Sequence, residues 1–138
     1  AADRHVALDP GTDLALARGV LARVVERGDV DESFVERATV GFPELRDSLP
    51  EAAAAADAAG VDVETLDALA TAFTRRTLCY WGMGVNQSTQ GTATAGALVD
   101  LVAGLADEVR CAAGGVSVSF RIRRTMRSVR SWVEPPAP

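Results

Sequence analysis

At 138 residues the chain has room for one domain with a modest core. An apolar fraction of 48% sets it among globular proteins and apart from disordered ones. The net charge of −5 is unevenly spread: residues 1–110 hold 9 Arg and 18 acids, residues 111–138 hold 5 Arg and 1 acid, and Lys is absent throughout. The acidic bulk argues against a nucleic-acid binder, and no apolar run reaches the length of a membrane-spanning helix. Missing Lys together with runs of Ala points to a GC-rich gene. Cys79 and Cys111 have neither metal-ligand spacing nor the density of a disulfide scaffold, so a reducing cytoplasm is the expected compartment. His5 is the one histidine and cannot form a His cluster; a satisfied or solvent-facing role is expected.

In chain order, "HVALD" alternates and predicts a short strand that stops at Pro10-Gly11. Thr12 or Asp13 can cap the helix that follows, where Leu14, Ala17, Leu21, Val24 and Val25 recur at helical spacing and Gly28 gives a stop. Asp31 caps a second short helix with Phe34, Val35 and Ala38, broken by Gly41-Phe42-Pro43. "EAAAAADAA" forms another helix up to Gly60, and Asp62 starts the next, with Leu66, Leu69, Ala70 and Phe73 on one face. "TLCYW" reads as a buried strand. After a polar loop, Ala97, Leu98, Leu101, Val102 and Leu105 make a last amphipathic helix. Strand, helices, strand, glycine-rich loop and helix predict an α/β fold.

Two loops stand at predicted strand ends, the place where open α/β sheets bind ligands: "DPGTD" and "WGMGVNQSTQGT". Glycines let backbone N–H groups approach a phosphate, and a helix N-terminus adds partial positive charge. Asp13 can accept from a guanine edge, Asn86 and Gln87 offer donors and acceptors, and Met83 can lie on a flat ring. The alternative is a plain turn with a helix cap at the first loop, and turn glycines with solvated amides at the second. Gln87 stands where a third glycine would complete the dinucleotide fingerprint, which argues against a nicotinamide-dinucleotide binder. A chain without Lys has no P-loop. Asp29, Asp31 and Glu32 read as a solvated helix start and not a metal site. Neither cysteine has an activating neighbour in sequence.

These residues resemble part of the molybdopterin oxidoreductase family, and in particular the catalytic subunit of formate dehydrogenases. "ADRHVALDPGTDLALARGVLARVVERG" is similar to the family's strand, P-G-T-D turn and helix. "DVDESFVERATVGFPELR" resembles its D-x-x-F…T-x-G-F-x-x-L segment, and "GVDVETLDALATAF" the short helix after its G-V turn. "WGMGVNQSTQGT" is similar to the loop W-G-M-G-x-x-Q-x-x-x-G. The resemblance covers about residues 2–102. It implies a partial Rossmann-like parallel sheet flanked by helices, from a cofactor-binding domain over residues 1–104.

The resemblance further implies a bis-molybdopterin guanine dinucleotide cofactor carrying molybdenum or tungsten. Contacts fall on Gly11, Thr12 and Asp13 in the turn, and on Gly82, Met83, Gly84 and Gln87 in the loop. The family's iron–sulfur cysteines and its catalytic Cys, selenocysteine or Ser have no counterpart in this sequence, so no catalytic residue and no metal ligand is expected here. Formate is the expected substrate of the intact enzyme, with nitrate as the alternative. The remaining domains or redox subunits are the expected partners.

Residues 105–138 depart from the family and read as a divergent basic tail. "VSVSFRIRRTMRSVRSWVEPPAP" has the Arg and Ser bias of a GC-rich gene read out of frame, which makes the chain an expected internal fragment without turnover of its own. An authentic basic tail is the alternative. If it met a nucleic acid, Arg121, Arg123, Arg124, Arg127 and Arg130 would do so, with Phe120 and Trp132 nearby.

Overall fold

A computed structural model describes residues 4–75, 77–105 and 110–113. Seven helices and two strands follow in order: α1 Asp13–Glu26, α2 Glu32–Ala38, α3 Phe42–Asp47, α4 Ala52–Ala59, α5 Val63–Phe73, β1 Leu78–Trp81, α6 Met83–Asn86, α7 Gly91–Ala103 and β2 Arg110–Ala113. The readings of residues 106–109 and of the Arg-rich stretch beyond residue 113 lie outside the described residues.

Helix α1 is the centre. It packs against α4, α5 and α7, and its buried stripe of Val20, Leu21 and Val24 meets Ala52, Ala56, Leu66, Ala70, Leu101 and Leu105. Burial of this kind is the main force holding helices too short to be stable alone. The approach of α1 to α4 is close because both surfaces are small. A Cβ on Gly19 would lie 2.8 Å from the Cβ of Ala55 and 3.2 Å from a methyl of Leu66. The alanine run of α4 supplies the matching face, with Ala52, Ala55, Ala56 and Ala59 all buried.

Polar contacts fix the ends. Asp31 accepts from the Phe34 amide at 2.9 Å and Asp62 from the Thr65 amide at 2.6 Å, so both acidic caps stand where the sequence puts them. These bonds hold the two carboxyls below their ordinary range: for Asp31 the Phe34 amide acts first, for Asp62 the Thr65 side chain and then its amide. Helices α1 and α4 end alike. Gly28 and Gly60 take φ +71° and +70°, and the next residues, Asp29 and Val61, donate back to Val24 and Ala56 at 3.0 Å. Arg23 joins α1 to α5 through Asp67 at 2.6 and 2.8 Å. Arg18 donates to the Ser48 carbonyl at the end of α3.

The predicted sheet is the main departure. Residues 4–9 form no strand, although Val6 and Leu8 are half-buried and His5, Ala7 and Asp9 exposed, as the alternation predicts. A strand is defined by a hydrogen-bonded neighbour, and among the described residues this segment has none. What exists is one parallel ladder, β1 with β2, Cys79 opposite Cys111, with α7 between the two strands in the chain. The described residues are therefore mostly helical, and the Rossmann-like sheet is not found in them. Two further elements escape the sequence reading. Helix α2 stops earlier, at Ala38, where Thr39 turns extended, and Gly41-Phe42-Pro43 begins α3, with Gly41 at φ +84° and the proline in the first turn; and α6 is a single turn inside the polar loop. Among the described residues no helix is long and apolar enough to cross a membrane.

Asp100 of α7 is half-buried, and burial pushes its pKa up from 3.8 to about 6, with the charge of Arg18 opposing. An acid whose folded pKa is raised binds its proton more tightly in the native state, so stability falls as pH rises from about 4 to about 6 and the penalty is complete above that.

Two predictions follow from this packing and this charge. Gly19→Val lowers the stability of the chain by about 2 kcal/mol. Gly96→Ala, in an α7 position where nothing lies within 4 Å of the new Cβ, raises it by about 0.5–1 kcal/mol; urea denaturation of both variants checks the pair. Asp100→Asn is neutral near pH 4 and stabilises by about 1–3 kcal/mol at pH 7, read from denaturation midpoints across that range.

Candidate functional site

The first loop turns at Gly11, whose φ of +86° favours glycine. The Thr12 amide donates to the Asp9 carbonyl at 3.2 Å and its hydroxyl to the same oxygen at 2.7 Å. The hydroxyl also reaches the Ala59 carbonyl of α4 at 3.4 Å. Thr12 therefore occupies the cap position of α1 without capping it through its side chain; its hydroxyl pins the turn instead. Asp13 opens α1, is exposed, and finds no side-chain partner among the described residues.

The second loop starts at Gly82, the residue before α6. The Val85 and Asn86 amides return to the Gly82 carbonyl at 3.2 and 3.3 Å, and the Gln87 amide to Met83 at 2.8 Å. The motif residues Gly82, Met83, Gly84 and Gln87 thus share one turn of backbone. Met83 is 57% exposed and Gln87 is exposed with no side-chain partner among the described residues. Neither Gly82 nor Gly84 has positive φ, and a Cβ on either would meet no atom within 4 Å. The chain's own backbone and packing give no reason for glycine at these two positions.

Helix α1 packs on α7, and Leu21 lies against Gly104 at the end of α7. The N-terminus of each of these helices presents unpaired amide N–H groups and partial positive charge to the loop before it.

Other candidates resolve into structure. The three clustered acids are each engaged: Asp29 with Arg27 at 2.9 Å, Asp31 in its cap, and Glu32 with Arg46 at 2.5 Å. Cys79 is a free thiol, and burial pushes its pKa up, away from the reactive thiolate. A cavity of about 220 Å³ sits elsewhere, between α2 and α3, lined by Val35 and Phe42. A residue the sequence reading passed over is Gly91. A Cβ there would lie 2.5 Å from the Asn86 carbonyl and 2.7 Å from that of Val85. The signal was present, since Gly91 is the last glycine of the W-G-M-G-x-x-Q-x-x-x-G pattern.

No protein-family profile matches the chain. Individual relatives do. An assimilatory nitrate reductase of Haloferax mediterranei is 53% identical over 100 residues, covering 72% of this chain and 14% of the relative. The assimilatory nitrate reductase catalytic subunit of Bacillus subtilis is 31% identical over 106 residues, 73% of this chain and 15% of the relative. Formate dehydrogenase H of Escherichia coli is 32% identical over 106 residues, 72% and 14%. The chain thus spans about one seventh of the length of these relatives, and its identity to the Haloferax nitrate reductase exceeds that to formate dehydrogenase H. Shared identity with nitrate reductases and a formate dehydrogenase alike, over the greater part of its length, makes this chain a member of the molybdopterin oxidoreductase family.

Proposed function

We propose that this chain contributes to the cofactor-binding region of a molybdopterin-dependent oxidoreductase, and that its two loops hold a bis-molybdopterin guanine dinucleotide with molybdenum or tungsten. The observation that carries the reading is the open space over Gly82 and Gly84, where no atom of the chain lies within 4 Å of a Cβ. Open space over two glycines lets a ligand approach the backbone there. Gly11, Thr12 and Asp13 would take the guanine nucleotide, with the Asp13 carboxylate accepting from the guanine edge. Met83 and Gln87 would cover the ring system, the thioether by contact and the amide by hydrogen bonds. The N-termini of α1 and α7 favour phosphates.

When bound, such a cofactor supplies a metal centre that exchanges two electrons with a small substrate. The residues of this chain bind and orient; the groups that touch substrate, the iron–sulfur cluster and the redox partners belong to other parts of the intact enzyme. We assign nitrate as the substrate, because identity to an assimilatory nitrate reductase is 53% against 32% to formate dehydrogenase H. Formate is the second reading, supported by the latter similarity. A cytoplasmic setting agrees with the free Cys79 thiol.

A chimaera tests the proposal. This chain's matching residues replace the 100-residue segment of the Haloferax mediterranei nitrate reductase, and molybdenum content and nitrate reduction are measured. Both are retained. Gly82→Val with Gly84→Val in the nitrate reductase chimaera lowers molybdenum content about tenfold, the equivalent of about 1.4 kcal/mol of binding. Full molybdenum content in that double variant contradicts the cradle.

A further inference from the structure

Helix α6 has four residues, far fewer than a helix needs to hold itself. Something outside it must set the direction in which Met83 and Gln87 leave the surface. The contacts that do so come from its C-terminal side. The Ser88 amide and hydroxyl both donate to the Val85 carbonyl, at 3.3 and 3.0 Å, and the Ser88 carbonyl accepts from the Gly91 amide at 3.0 Å. Gly91 itself is buried at the first position of α7, and its Cα faces the carbonyls of Val85 and Asn86 so closely that a Cβ would stand 2.7 and 2.5 Å from them. Both are backbone atoms, so no side-chain rotation relieves the contact.

We infer that Ser88 and Gly91 form a clamp that seats α6 on the start of α7, and that they are positioning residues for the Met83–Gln87 surface. Neither needs to touch a ligand. The inference rests on the cofactor reading for what that surface meets, and on geometry alone for the clamp. It separates the glycines of this region by cause: Gly82 and Gly84 face open space, Gly91 is there because two carbonyls leave no room. Thr92 and Ala93, exposed just beyond the clamp, continue into a helix whose axis fixes the seat; α7 is in turn packed on α1.

The experiment uses the full 138-residue chain, labelled with ¹⁵N and with ¹³C-methyl methionine and leucine and observed by NMR without ligand. Gly91→Ala shifts the Met83 methyl and the Val85 to Gln87 amides and speeds exchange of the Gln87 amide about tenfold, while the Leu21 and Leu66 methyls stay in place. Gly96→Ala, with room for the methyl, leaves the Met83 methyl and the Val85 to Gln87 amides at their wild-type positions. Ser88→Ala acts in the same direction as Gly91→Ala, and Ser88→Thr, which keeps the hydroxyl, restores the wild-type pattern; this pair decides the matter if Gly91→Ala fails to fold. Wild-type positions of Met83 and Gln87 in Gly91→Ala, or equal effects of Ser88→Ala and Ser88→Thr, overturn the clamp. A separate titration of the wild-type chain with GDP, read at the Gly11, Thr12 and Asp13 amides, tests the nucleotide reading by itself: movement supports it, and no movement contradicts it while leaving the clamp to its own result.

Discussion

The contact of Gly19 with Ala55 governs the rest of the molecule. Helix α1 touches α4, α5 and α7, so its position sets theirs, and the 2.8 Å between a hypothetical Gly19 Cβ and the Ala55 methyl shows an approach that only a residue without a side chain allows. An alanine-rich helix is a poor source of buried area, since each methyl removes little surface from water. It is a good source of proximity. The small face of α4 lets the larger side chains of α1, Leu21 and Val24, join one core with Leu66 and Ala70 of α5 and Leu101 of α7.

Most helices were legible because their signals are local. Asp31 and Asp62 precede apolar periodic runs and do cap them, and Gly28 and Gly60 end helices in the left-handed conformation that glycine favours. The strand predicted at residues 5–9 does not form, for the opposite reason. Its alternation is real, with Val6 and Leu8 half-buried, but pairing is a property of two segments and one sequence window carries only half of it. Helix α6 was hidden by composition: Gly, Met, Gly, Val and Asn over five residues give no helical period. Helix α3 was masked by its own first turn, because Gly41 and Pro43 read as a break and instead start a helix.

The candidate site was legible as a motif and not as a geometry. Residue types at Gly11 to Asp13 and Gly82 to Gln87 suggested a nucleotide site from chemistry alone, yet the same glycines serve equally well for turns. Structure divides them. Gly11 is required by its φ, Gly91 by two carbonyls, and Gly82 and Gly84 by neither. Substrate preference was less legible still. Nitrate reductases and a formate dehydrogenase are both similar to this stretch of chain, so its residue types do not by themselves separate the two substrates.

The central claim is that one ligand meets both loops. It is tested most directly by titrating the methyl-labelled chain with molybdopterin guanine dinucleotide released from a holoenzyme, following the Met83 methyl together with the Gly11, Thr12 and Asp13 amides. The account predicts that all of them move with a single midpoint, as one ligand spanning both loops requires. Movement of one loop without the other, or of neither at saturating cofactor, would contradict it.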